Sequence, residues 1–507
     1  MSIARLLMAA LLLGASAAGM AQEGSPSAAP AALEPVVPSI DARFRRFQEE
    51  AHVPGLAWGI VRDGRLVHVG LSGVQDLETR RPVSPDSLFR IASMSKAFTA
   101  LAILKLRDEG RLSLDAPAES YVPEMRTWRY PTSDSPRIRV RDLLSHVGGF
   151  VTDDPWGDRQ QPLPEADFTA MLRRGVPFSR VPQTQFEYSN LGYALLGRIV
   201  TNVSGRPFKD YIEQEIMRPL GMESTGYDIF AAPQERRALG YRWENEAFAR
   251  EPEMAHGTFG AMGGVQTSLS DYARWVAFLL DAWPARDGPE QGPVRRSTVR
   301  ELAQGLNFLT VRPRPGLDGA EPCRTAIAYA MGFIVARDCD LGTTLAHGGG
   351  FPGYGSYLVL MPDHGVGVFA FANRTYAGPS APVFDAALEM ERAGLLEPRP
   401  VPVSEALAGA YRSAGAIYAA GDIAPGRPLL AMNFLMDRSE ANWARELVRL
   451  KGEAGACETG APITATGALS GRFEWACERG RLQGQLLLAP TEPPAIQALR
   501  LNIAPAN

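Results

Sequence analysis

The chain is poor in lysine. Lys96, Lys105, Lys209 and Lys451 are the only four among its 52 basic residues, and the rest are arginine. A lysine at a chemically suggestive position therefore stands against the chain's own habit. Cysteine is just as scarce, with four in 507 residues. None lies in a CxxC pair or a Cys/His cluster, which argues against a zinc site. There is no HExxH, so metal-assisted hydrolysis is not expected, and no GxSxG elbow, which speaks against an α/β-hydrolase. Charge of one sign is also missing. The net charge is -4, with acids and bases spread along the chain, leaving no stripe for nucleic acid and no patch for an anionic membrane. Beyond the N-terminus no apolar run is long enough to cross a bilayer. These absences leave a near-neutral protein acting on a small-molecule or peptide substrate, with no cofactor, no nucleic acid and no stable membrane insertion expected.

The N-terminus reads as an export signal over residues 1–21. Arg5 supplies the basic region, an apolar run covers 6–13, and Gly19-Met20-Ala21 fits a cleavage site before Gln22. The expected location is periplasmic or secreted. In that setting four cysteines imply disulfides, and nearest-neighbour pairing of Cys323 with Cys339 and Cys457 with Cys477 is preferred. Residues 22–38 have the Ala/Pro/Ser composition of a linker.

The periodicity predicts a helix over 40–51. Strands over 55–61 and 66–73 should join through Asp63-Gly64, a pair that accepts the positive φ of a tight hairpin. A long Ala/Leu-rich helix is predicted over 94–109, ending at Gly110. Helix and loop follow to about 310, with helices at 193–203, 208–217 and 270–280. Strands are then read at 329–336, 343–346, 356–361 and 366–372, with a closing helix over 381–394. The fold class is α+β: an antiparallel sheet flanked by helices, with a helical subdomain. Three prolines in 397–403 mark a linker. Residues 39–396 are thus read as one domain, and 404–507 as a small β-rich accessory domain with strands at 473–478, 482–488 and 496–503 and a helix at 441–451.

Three elements carry chemistry. The first is Ser93-Met94-Ser95-Lys96. Residues three apart share a helix face, which sets the Lys96 amine beside the Ser93 hydroxyl. A serine needs a base to become a nucleophile, and a poorly solvated lysine can be that base where arginine cannot. The helix N-terminus adds its positive dipole end. The second is Tyr188-Ser189-Asn190, a phenol able to move protons and an amide able to hold both lysine and substrate; a helix cap with a packed tyrosine reads equally well. The third is His347-Gly348-Gly349-Gly350, placed just after the strand at 343–346. Its glycines let a substrate lie against the strand edge, and the Gly350 N–H pairs with that of Ser93 as an oxyanion hole. Residues 348–353 also fit GxGxxG formally, but a strand follows rather than a helix, so a dinucleotide site is rejected.

In this order and spacing the three elements resemble the serine β-lactamase and penicillin-binding protein superfamily. The nearer likeness is to its class C-like branch, which includes esterases and D-amino-acid peptidases. Supporting phrases are Phe89-Arg90-Ile91-Ala92, Asp142-Leu143-Leu144-Ser145-His146, Pro219-Leu220-Gly221-Met222 and Gly263-Gly264-Val265. The resemblance implies an acyl-enzyme on Ser93, proton handling by Lys96 and Tyr188, and substrate contacts from Asn190, His347, Gly349 and Gly350. A departure is plain: where relatives carry Lys-Thr-Gly, this chain has His347-Gly348-Gly349, with a weaker positive charge and no hydroxyl. That shifts the expectation from β-lactam hydrolysis toward esterase or peptidase activity. Gln183 also stands where many relatives place glycine, and a loop change is expected there. A non-turnover penicillin-binding or peptide-sensing protein is the alternative function. His146 and His256 are read mainly as loop and packing residues, and Trp128, Trp156 and Tyr241 as cleft-lining or core.

Overall fold

Asp63 and Gly64 take φ of 49° and 76°, the left-handed pair that a two-residue hairpin demands. In this computed structural model, which describes residues 33–152 and 156–504, they join β1 (Gly55–Arg62) to β2 (Arg65–Asp76). The short β3 (Arg81–Pro82) extends the edge. The chain then leaves for the helical region and returns as β4 (Asn307–Arg314), β5 (Cys323–Tyr329), β6 (Ile334–Asp338), β7 (Gly342–Phe351), β8 (Tyr354–Met361) and β9 (Val366–Ala372). The nine strands run in the order β3-β2-β1-β9-β8-β7-β6-β5-β4. The returning β9 pairs with β1 antiparallel, from Leu56 opposite Ala372 to Arg62 opposite Val366. β1 and β9 are central strands buried on both faces, which is why they read as continuous apolar runs.

One face is covered by the helices Val37–Glu50 and Ser380–Arg392, which enclose a core with Ile40, Phe44, Trp58, Val368 and Val383. The other face carries the larger core, built on the helices Lys96–Asp108, Asn190–Ser204 and Leu269–Asp281. This is the expected antiparallel sheet with flanking helices and a helical subdomain.

Several boundaries differ from the sequence reading. The strand read at 329–336 holds only the last residue of β5, a turn at 330–333 and the start of β6, so β4 and nearly all of β5 were not anticipated. The helix read at 270–280 spans Leu269–Asp281 and is capped by Ser268, whose side chain accepts the Asp271 N–H. The glycine run 348–350 lies inside β7 rather than after a strand, because ladder pairing with β8 overrides the weak strand propensity of glycine. The export signal at 1–21 and most of the linker at 22–38 fall outside the described residues. The proline-rich stretch 397–403 is pinned: Arg399 binds Asp63 at 2.9 Å and the carbonyls of Leu280 and Trp283 at 3.0 Å.

The C-terminal domain is strand-rich, with a four-stranded antiparallel sheet of Thr464–Gly467, Ser470–Cys477, Gly480–Ala489 and Ala495–Ile503. Helices Glu405–Ala420 and Glu440–Ala454 pack on one face. The first went unread because its apolar content is largely alanine, which blurs the helical stripe. Both disulfides join nearest neighbours, Cys323–Cys339 and Cys457–Cys477.

Gly349 is a close-approach glycine. A Cβ there would lie 2.3 Å from the Ile91 carbonyl oxygen and 2.2 Å from Ser356 Oγ. Gly349→Ala should therefore cost ~1–3 kcal/mol through overpacking. Gly452→Ala, in a helix with open space around it, should stabilise by ~0.5–1 kcal/mol. Thermal unfolding of the two variants beside the parent checks both signs.

Candidate active site

The serine turn is built under strain. A short strand, Phe89–Arg90, pairs with Gln266–Thr267. Ala92 then takes φ of 46°, a conformation unfavourable to residues with a Cβ. This swings the chain into a 3-10 turn, Ala92–Ser95, that runs into the helix Lys96–Asp108. The turn is braced from three sides. Ser356 Oγ donates to the Ile91 carbonyl at 2.8 Å, the Ser95 hydroxyl accepts the Val265 N–H at 3.1 Å, and Thr99 donates to the Ala261 carbonyl at 2.7 Å. Arg90 lies buried over the Phe351 ring, 4.2 Å from its centroid, and donates to the Met254 carbonyl at 2.7 Å. Burial pulls it down to about 10, still charged at neutral pH.

Ser93 remains half-buried while Lys96 is fully buried. Lys96 Nζ is 3.1 Å from Ser93 Oγ, 2.8 Å from Asn190 Oδ1 and 2.9 Å from the Met262 carbonyl oxygen. It also lies 4.9 Å from the centre of the Tyr188 ring. Asn190 reaches the amine because Ser189 caps the helix Asn190–Ser204, accepting the Gly192 N–H at 3.3 Å. The cap and the polar contact coexist in one tripeptide.

β7 supplies the opposite wall. It pairs with β6 only from Gly342 to Ala346, and with β8 from Leu345 to Phe351. Among the described residues, 347–351 thus have a strand on one side only, and the serine turn packs against this part of the sheet through Gly349. Gly350 lies against Tyr376, whose hydroxyl donates to Asp158 at 3.0 Å. His347 is 5% exposed. Its Nε2 is 3.1 Å from the Tyr329 hydroxyl and its Nδ1 is 2.6 Å from the Gly348 carbonyl oxygen. Burial first, then the Lys96 charge, pushes its ring down to about 4. The weak positive charge expected of it is therefore absent at neutral pH, because a sealed imidazole cannot be solvated as a cation.

The structure brings Ser93, Lys96, Tyr188, Asn190 and His347 into one cluster, with the Tyr188 and His347 rings 6.3 Å apart. Gly349 and Gly350 line the strand edge beside it. Sequence reasoning missed the Met262 carbonyl, which had no side-chain signal; His146, read mainly as packing, is buried and lies tilted against the Tyr188 ring, with centroids 4.3 Å apart. Trp128 is core, donating to the Leu172 carbonyl at 2.7 Å, and Tyr241 is buried against Asp76. His256 lies beside Tyr227. The side chain of Trp156 falls outside the described residues. Gln183 adopts φ of 66°, the conformation glycine takes freely, and its amide donates to Asp142 at 2.8 Å in compensation.

The profile of the beta-lactamase family matches residues 40–389. The chain belongs to the beta-lactamase family. Protein flp of Staphylococcus aureus is 28% identical over 340 residues, covering 66% of this chain and 62% of that protein. The chain thus spans less than two thirds of the length of this curated relative. Esterase EstB of Burkholderia gladioli is 31% identical over 214 residues, 40% of this chain and 54% of the esterase. Among solved structures, the octameric penicillin-binding protein homologue from Pyrococcus abyssi superposes with a TM-score of 0.59 at 20% identity, over 92% of this chain and 99% of that one. A class C beta-lactamase gives 0.56 at 19% identity, over 72% and 97%. These likenesses establish the beta-lactamase-like fold of the chain.

His347 makes a pH prediction. Its folded value lies below the ordinary 6.5, so between pH 6.5 and about 4 the unfolded chain binds a proton that the folded ring refuses. Stability should be complete above that window and fall as pH drops through it. His146 is shifted in the same direction. His347→Phe should flatten the slope of Tm against pH in the window, whatever its effect on Tm at pH 8.

Proposed function

We propose that this beta-lactamase family member is an exported serine hydrolase that cleaves esters or amides through an acyl-enzyme on Ser93. The observation that carries the reading is the 3.1 Å contact between Lys96 Nζ and Ser93 Oγ, with the amine buried and the alcohol reachable. With Lys96 in its neutral form, the hydroxyl proton passes to Lys96 as Oγ bonds to the substrate carbonyl carbon. The carbonyl electron pair moves onto oxygen, which the N–H groups of Ser93 and Gly350 receive. Tyr188 relays the proton to the leaving oxygen or nitrogen as that bond breaks. Water then attacks the Ser93 ester, and its proton returns along the same path, releasing acid and free enzyme.

The substrate is an ester in preference to a β-lactam. An uncharged His347 and a side-chain-free Gly348 supply neither the cation nor the hydroxyl that would grip an antibiotic carboxylate. The name of the Burkholderia relative points the same way. Export to the periplasm or medium is supported by two disulfides, which persist in oxidising compartments. Residues 39–396 are read as the hydrolase domain and 404–507 as an accessory domain. No helix among the described residues is long and apolar enough to cross a membrane.

The test is labelling plus turnover. A fluorophosphonate probe should attach to the parent and not to Ser93→Ala, and p-nitrophenyl acetate should be turned over faster than nitrocefin. Lys96→Arg should lower ester kcat ~10²–10⁴-fold, with folding checked by circular dichroism. Stoichiometric labelling without turnover would favour a penicillin-binding or sensing protein instead, and labelling of Ser93→Ala would refute the reading.

A further inference from the structure

His146 grips Tyr188 from three directions. Its backbone carbonyl accepts the Glu187 N–H at 2.8 Å, and its ring Nδ1 accepts the Ser189 N–H at 3.1 Å. The residues on both sides of Tyr188 are therefore tied to one histidine. The imidazole ring itself lies against the Tyr188 ring, with centroids 4.3 Å apart and planes inclined by 35°. The grip is made at a cost, for His146 holds φ of 59°, a left-handed conformation seldom adopted outside glycine, asparagine and aspartate.

We propose that His146 is the positioning residue of Tyr188, fixing the place and angle of its phenol above Lys96; this rests on the proton-carrying role given to Tyr188. The tautomer follows from the contacts. Nδ1 accepts a hydrogen bond, so the neutral ring carries its proton on Nε2. That atom is buried with no hydrogen-bond partner among the described residues, and the Tyr329 ring stands edge-on at 4.6 Å. Burial, then the Lys96 charge, holds the imidazole well below its ordinary range. Protonation would place an N–H against the Ser189 N–H and open the clamp, so the neutral state and the grip are one condition. An ordinary core aromatic would fill the same space. It would supply no acceptor at Nδ1, and that difference makes the role testable.

His146→Phe keeps a ring and removes the acceptor. His146→Asn removes the ring and keeps a side-chain oxygen in a residue type that tolerates positive φ. Both are compared with Tyr188→Phe and with each double variant, using burst-phase acylation by p-nitrophenyl acetate and Tm. His146→Phe is expected to lower the acylation rate constant ~10–100-fold, as misplacement of a reacting group does, with KM changed less than about threefold. In the Tyr188→Phe background the same substitution should add less than about twofold, since the phenol it positions is already gone. Losses that multiply would overturn the proposal, and so would a lowered Tm with an unchanged acylation rate. Should His146→Phe fail to fold, His146→Asn carries the same comparison by the rate of fluorophosphonate labelling. Full acylation by Tyr188→Phe alone would remove the role given to Tyr188 and this proposal with it, a result distinct from multiplying losses.

Discussion

A lysine amine taken wholly out of water is the constraint around which this molecule is arranged. Such a group is tolerated only where oxygen atoms replace its hydration. Here such oxygens come from separate parts of the chain, among them the Ser93 hydroxyl, the Asn190 amide and the Met262 carbonyl. Losing either of the last two would leave buried polarity uncompensated, at a cost that exceeds the worth of an ordinary surface contact. Burial and chemistry thus impose the same geometry. The helices bearing Lys96 and Asn190 and the turn at Gly260–Gly263 must meet at one point.

The sheet adds a second feature beside the serine turn. Because β6 stops opposite Ala346, the next five residues of β7 have a strand on one side only among the described residues. Glycine at 349 lets the Ile91 carbonyl approach from the serine turn, and Ser356 on β8 clamps that carbonyl. The strain held by Ala92 is balanced by these braces, an example of local backbone cost sustained by its surroundings.

Within the beta-lactamase family the chain has its own character. Its third motif is neutral, since His347 is sealed between Tyr329 and the Gly348 carbonyl. Gln183 meets a glycine-like backbone demand by bonding Asp142. The C-terminal sheet and its two helices close a core of their own around Trp475, Leu447 and Ile417.

Some of this was determined along the chain itself. The Asp63-Gly64 hairpin, the β9 run 366–372, the long helix after Ser93 and the pairing of near cysteines depend on local backbone preference or short separation, and these are written in consecutive residues. The three motifs were legible for the same reason, each being a short run with its own chemistry. Other features arose only when distant segments met. A glycine run became the middle of a strand because β8 paired with it. The Met262 carbonyl became a ligand of the amine although no side chain announced it. His347 lost its charge and His146 closed on Tyr188 through burial, a property of the packed fold that composition and spacing do not carry.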